Sequence, residues 1–194
     1  MGIEPVPWKE QKVLRKLKEE FKLGAAKRVK IIAGGMSGQC YKNCDAYAQE
    51  NEGKVIYGWL AKGLPGKFLV LEHHAIVKMK DGSYADPTKF NGSEFVEVVV
   101  FIDNSITPSR DYPPFIPNKY LGYVGHESAL EAFRRAEEYE FELRRRTVRE
   151  AQRQGLPWMS GVGVPGLQNN LEVRDIVRGF EFSKRLQEEA AQFY

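Results

Sequence analysis

An α+β fold is predicted by three observations: helical apolar spacing near the N-terminus, a run of strand-like segments with no helix between them, and a long charged helical stretch toward the C-terminus. The chain has 194 residues, 42% of them hydrophobic and 28% charged. That length is enough for one well-packed core and short for two. A single domain over residues 1–194 is therefore expected, with a helical appendage.

Residues 8–22 place Val13, Leu14, Leu17 and Phe21 at helical spacing with Lys and Glu on the other side, so a helix docked by one stripe is expected there. Residues 29–33 read as a short strand, which GGMSG breaks. A second helix runs from near Gln39 to near Gly53 and puts Cys40, Cys44, Tyr47 and Ala48 on one face. Strands follow at 54–60, 72–79, 83–86 and 94–102, rich in β-branched and aromatic residues and separated by Gly or Pro. Strands in succession after a helix point to an antiparallel sheet. Residues 103–126 are proline-rich and aromatic, and read as an ordered surface loop of the kind that often lines functional sites. Ser128 is placed to cap a long charged helix that meets no breaker until Gly155. After a glycine-rich loop, residues 171–192 give the last helix.

Charge and leader signals restrict the function classes. The net charge is +3 and the isoelectric point is near 8.7, with Lys and Arg interleaved among Asp and Glu, so no nucleic-acid surface is expected. The stretch at residues 1–20 has no apolar h-region, no run reaches bilayer length, and Gly2 lacks the Ser or Thr that the myristoylation pattern requires, so neither a leader nor a membrane anchor is expected. The two cysteines lie four apart, poor geometry for a bridge within one helix. Reduced thiols and a cytoplasmic setting are expected.

The chemistry-bearing residues are few. Cys40 opens a helix, where the macrodipole and free backbone N–H groups favour a thiolate and can stabilise an oxyanion. The bland alternative is a small buried hydrophobe, and that is the better reading for Cys44, one turn further in. His73 and His74 are adjacent on a strand, so they point to opposite faces and only one can serve a given site. The turn in KMKDGSYAD decides which histidine meets Asp86. A two-residue turn at Asp81 and Gly82 would set Asp86 opposite Val77, away from His74. A three-residue loop of Lys80, Asp81 and Gly82, with Gly82 left-handed in a G1 bulge, sets Asp86 opposite Ile76 and makes it a diagonal neighbour of His74. Asp86 also precedes Pro87, where starting a turn is a common task for Asp.

Gly38-Gln39-Cys40 followed by Tyr41, His74-Ala75 on a strand, and Asp86-Pro87-Thr88 closing the next resemble the transglutaminase-like branch of the papain-like cysteine peptidase superfamily. The resemblance spans about residues 29–102. It leaves the loop at 103–126 and the helical appendage at 127–194 outside. It implies a papain-like or transglutaminase-like core, in which a cysteine-bearing helix packs on an antiparallel sheet, with extra N- and C-terminal helices. It also implies a catalytic triad with Cys40 as nucleophile, His74 as base and Asp86 as the residue that orients it. The activity implied is that of a thiol protease or other hydrolase, a deamidase, or an acyltransferase acting on a protein or peptide amide, without a cofactor. Two features depart from the family pattern: Ile76 stands where an aromatic often follows His-Ala, and no side chain is assigned to the oxyanion.

Other readings of the same residues are a zinc site from Cys40, Cys44 and one histidine, which lacks a fourth ligand, and a dinucleotide loop at GVGVPG, residues 161–166. That loop follows a helix and carries Pro165 where a binding helix should begin. A further alternative is a non-catalytic binding or scaffold protein with the same fold. It would use the C-terminal helices, where RRAEEYEFELRRR gives either a partner-protein surface or a solvated face. His126, just ahead of the long helix, is assigned no role.

Overall fold

The computed structural model describes residues 3–36, 38–90, 96–108, 115–156 and 171–193. The chain forms two compact units, one from the described residues of 3–65 and 69–108, the other from 66–68 and those of 115–193. The architecture is mixed α+β, as expected.

In the first unit the elements run β1 (Glu4–Pro5), α1 (Gln11–Phe21), β2 (Ala26–Gly35), α2 (Cys40–Glu50), β3 (Lys54–Leu64), β4 (Phe68–Lys78), β5 (Tyr84–Thr88) and β6 (Glu97–Ile102). The strand order is β1-β3-β6-β2-β5-β4, and an additional β3–β4 pairing closes five of these strands into a ring. Closure leaves those five strands without an open edge, which is how small barrels avoid exposing unpaired backbone. Val29, Leu60, Ile76, Val98 and Val100 form one core cluster contributed by four of the strands. Val99 and Phe101 are buried too, so β6 is covered on both faces and reads as a continuous apolar run rather than an alternation.

The sheet is not purely antiparallel, which corrects the expectation from sequence. β2 and β5 run parallel, with Lys30 opposite Ala85 and Ile31 opposite Asp86, while β2–β6, β3–β6 and β4–β5 are antiparallel. Parallel neighbours need a long crossover, and here α2, β3 and β4 together supply it. Reading strands as partners of their chain neighbours misses such a pair. β2 is also longer than the expected 29–33, because Lys27, Arg28 and Lys30 mask its start. Arg28 pairs with Glu97 on β6.

The β4–β5 hairpin has the three-residue loop. The Met79 N–H donates to Ser83 O at 2.9 Å and the Gly82 N–H to Met79 O at 3.0 Å, with Gly82 at φ +85°, where a Cβ would be penalised. Asp81 Oδ1 accepts the Ser83 N–H at 2.9 Å and holds the turn. Val77 stands opposite Ala85 and Lys78 opposite Tyr84, so Asp86 falls opposite Ile76.

The second unit contains β7 (Lys119–Gly122), α3 (Glu127–Arg153) and α4 (Leu171–Ala191). The 103–126 stretch is thus not loop throughout, since β7 lies within it; four residues give too little alternation to mark a strand. α3 starts before Ser128: His126 is its N-cap residue, without a side-chain cap bond, and Glu127 Oε1 accepts the Gly125 N–H at 3.1 Å instead. Tyr139 packs edge-on to Phe182 at 4.9 Å, and Ala136, Leu186 and Ala190 join α3 to α4. The charged stretch of α3 is laced by pairs within the helix such as Arg134–Glu131 and Arg145–Glu142, the pattern of a solvated face, and exposed pairs like these add little stability. The GVGVPG loop at 161–166 lies outside the described residues. No helix among the described residues is long and apolar enough to cross a membrane.

Candidate active site

Cys40 is the first residue of α2, after Gln39 as N-cap and Gly38 at φ +72°. The first backbone N–H groups of a helix have no intrahelical acceptor, so Cys40 stands at the donor end of α2. Asn43, one turn on, grips the preceding glycine-rich loop at Met36. Its Nδ2–H donates to Met36 O at 2.7 Å and its Oδ1 accepts the Met36 N–H at 3.2 Å. The same amide reaches Thr88 Oγ1 at 3.3 Å, which ties the loop, α2 and the end of β5 together. A Cβ on Gly35 would overlap the Asn43 amide. Gly35→Ala is therefore expected to push Asn43 off Met36 and slow alkylation of Cys40 by about tenfold to a hundredfold. A wild-type rate for that variant would show that the clamp does not position the thiol.

His74 Nε2 and Asp86 Oδ2 are 2.7 Å apart, and both residues are buried. The second carboxylate oxygen of Asp86 accepts the Thr88 N–H at 2.8 Å, so the carboxylate cannot rotate away without losing a bond. The Phe90 ring lies 6.0 Å from the imidazole. Cys40 lies near enough to His74 to help raise its pKa. With Nε2 committed to Asp86, Nδ1 is the nitrogen left for the thiol. Burial pulls the His74 pKa down, but the Asp86 carboxylate and the Cys40 sulfur outweigh it and hold the imidazole well above the usual histidine range.

The two thiols differ. Cys44 is fully buried, and burial, with Asp86 and Cys40 nearby, pushes its thiol far up. Cys40 is 9% exposed and shares a cluster with Cys44, Ala48, Ala75 and Val77. It therefore packs more than a residue beside an open cleft would. Both are free.

The adjacent histidines separate as strand alternation requires. His73 turns to Tyr41, Tyr57 and Trp59, with ring centroids 5.3–6.1 Å away. Among the described residues no three His, Cys, Asp or Glu side chains are arranged to hold a metal ion, and His73 and His74 already bond to Tyr41 and Asp86. The structure thus brings Cys40, His74 and Asp86 together. It adds Asn43 and Thr88, which sequence reasoning missed; the available signal was Asn43 at i+3 from Cys40, on the loop-facing side of the helix. The chain matches no family model, and no curated protein or solved structure matches it.

Proposed function

We propose that the protein is a cysteine-dependent acyl-transfer enzyme of the transglutaminase-like type, acting on a protein or peptide amide. One observation carries the reading: a buried, hydrogen-bonded His74–Asp86 pair whose histidine is perturbed by a cysteine at a helix start. Ion pairs buried to this degree are costly, and a functional site is where such a cost is tolerated. In the reaction His74 Nδ1 takes the Cys40 proton and the sulfur attacks the substrate carbonyl. The tetrahedral oxyanion forms beside the free N–H groups at the start of α2. His74 returns the proton to the departing amine, leaving a thioester on Cys40. Water resolves it to an acid, completing hydrolysis or deamidation, and an amine resolves it to a new amide. Asp86 keeps the imidazole in one orientation and supports its charge. Two free thiols suit a reducing compartment such as the cytoplasm.

The low exposure of Cys40 favours the second reading, a binding protein of the same fold without turnover. An activated ester such as p-nitrophenyl acetate distinguishes the two. The enzyme reading expects one acetyl group on Cys40 by peptide mass spectrometry, absent in Cys40→Ala and formed about 100-fold or more slowly in His74→Ala. Acetylation of lysines with Cys40 unmodified supports the scaffold.

A further inference from the structure

We propose that Tyr41 and His73 form a strut that sets the distance between Cys40 and His74, making Tyr41 a positioning residue for the acyl-transfer reading on which this inference rests. Tyr41 follows Cys40 on α2, and His73 precedes His74 on β4. The Tyr41–His73 contact thus joins the same two elements that carry Cys40 and His74.

The second joint is specific. The Tyr41 hydroxyl lies 2.8 Å from His73 Nδ1 and 3.2 Å from the His73 carbonyl oxygen. A hydroxyl has one proton, so both contacts are hydrogen bonds only when Nδ1–H donates to Tyr41 Oη and Tyr41 donates to the carbonyl. That arrangement fixes the imidazole with its proton on Nδ1. It also anchors one hydroxyl to both the side chain and the backbone of His73, which fixes α2 along β4 as well as across it. Burial, with Cys40, Glu72 and Tyr57 nearby, holds the Tyr41 hydroxyl far above the usual phenol range, so it stays a donor.

The surroundings make the joint stiff. The His73 ring lies nearly parallel to Tyr41 and Tyr57, with centroids 6.0 and 6.1 Å away, and perpendicular to Trp59 at 5.3 Å, and Trp59 Nε1–H donates to Asp103 at 3.0 Å. The residues buried between α2 and β4 are short, Cys40, Cys44 and Ala48 with Ala75 and Val77, and Tyr47 and Met79 pack at their rim. Shallow surfaces of this kind allow sliding by a fraction of an ångström, and a misplacement of about 1 Å is enough to cost about 100-fold in a reacting pair.

The test is the rate of iodoacetamide alkylation at Cys40, followed from acid to alkaline pH in wild type, Tyr41→Phe, His74→Ala and the double variant. Tyr41→Phe keeps the ring and removes the hydroxyl. It is expected to slow Cys40 about tenfold at neutral pH and move the midpoint of the profile upward, while leaving Cys44 protected. In the His74→Ala background the same substitution should change nothing further, since the strut acts only through the Cys40–His74 distance. If Tyr41→Phe matches wild type while His74→Ala is slow, the strut is wrong and the enzyme reading stands. A tenfold loss in both backgrounds makes Tyr41 merely structural, and a wild-type rate in His74→Ala removes the enzyme reading and the strut together. Should a melt show Tyr41→Phe unfolded, His73→Phe, which keeps the stacking and loses the nitrogen, is judged by the same criteria.

Discussion

Replacing His74 with alanine is expected to lower the unfolding free energy at neutral pH by about 3–5 kcal/mol, the usual result of breaking a buried pair and leaving one charge behind. Asp86 would keep the Thr88 N–H at 2.8 Å and lose its partner at 2.7 Å, with no solvent to replace it. The wild-type pair also predicts a pH dependence. The His74 pKa is raised in the folded protein, against about 6.5 in the unfolded chain. Its contribution is therefore fully present below about pH 6.5 and is lost as pH rises through the higher folded value. Urea titrations of wild type should show stability declining on the alkaline side. Replacing both partners with apolar residues, as in His74→Phe with Asp86→Leu, should flatten that decline. A loss below about 1 kcal/mol in His74→Ala would mean that water reaches Asp86 freely, against the burial described.

Alkylation should separate the two thiols of the native protein, with Cys40 reacting about 100-fold or more faster than Cys44. Position and protonation both contribute. Cys40 retains a little exposure and, in the proposed reading, passes its proton to His74, whereas Cys44 has no exposure and its thiol is pushed far up. The preference should collapse in His74→Ala, because Cys40 then keeps the helix terminus but not the base. Cys44→Ser should mainly affect stability, costing about 1–3 kcal/mol for a buried hydroxyl without a partner. Peptide mapping after timed alkylation gives both rates in one experiment. Equal, slow labelling of both cysteines would place Cys40 with Cys44 as a packing residue.

Much of this site is legible in the sequence because the decisive constraints are local. Alternation on one strand separates His73 from His74, and the preference of Gly82 for positive φ selects the three-residue loop that brings Asp86 back to the side of His74. Helix periodicity likewise groups Cys40, Cys44 and Ala48. The elements that escaped are those fixed by distant segments. The parallel β2–β5 pair depends on a crossover of three intervening elements, and β7 and β1 are too short to carry a period. Asn43 was missed for the same reason, since its partners Met36 and Thr88 lie on opposite sides of that crossover.

The closed ring of strands also orders events in time. His74 and Asp86 are 12 positions apart on one hairpin, so they can meet as soon as β4 and β5 exist. β2, however, is joined to β6 by partners such as Arg28 and Glu97, 69 positions apart. Loop closure over such a span is slow compared with hairpin formation. β2 leads directly into α2 and is held on one side by β5, but its other edge is covered only when that late pairing is made. During synthesis Cys40, His74 and Asp86 are therefore all present once β5 has emerged, whereas the ring of strands that frames them closes only when the chain has emerged through Ile102.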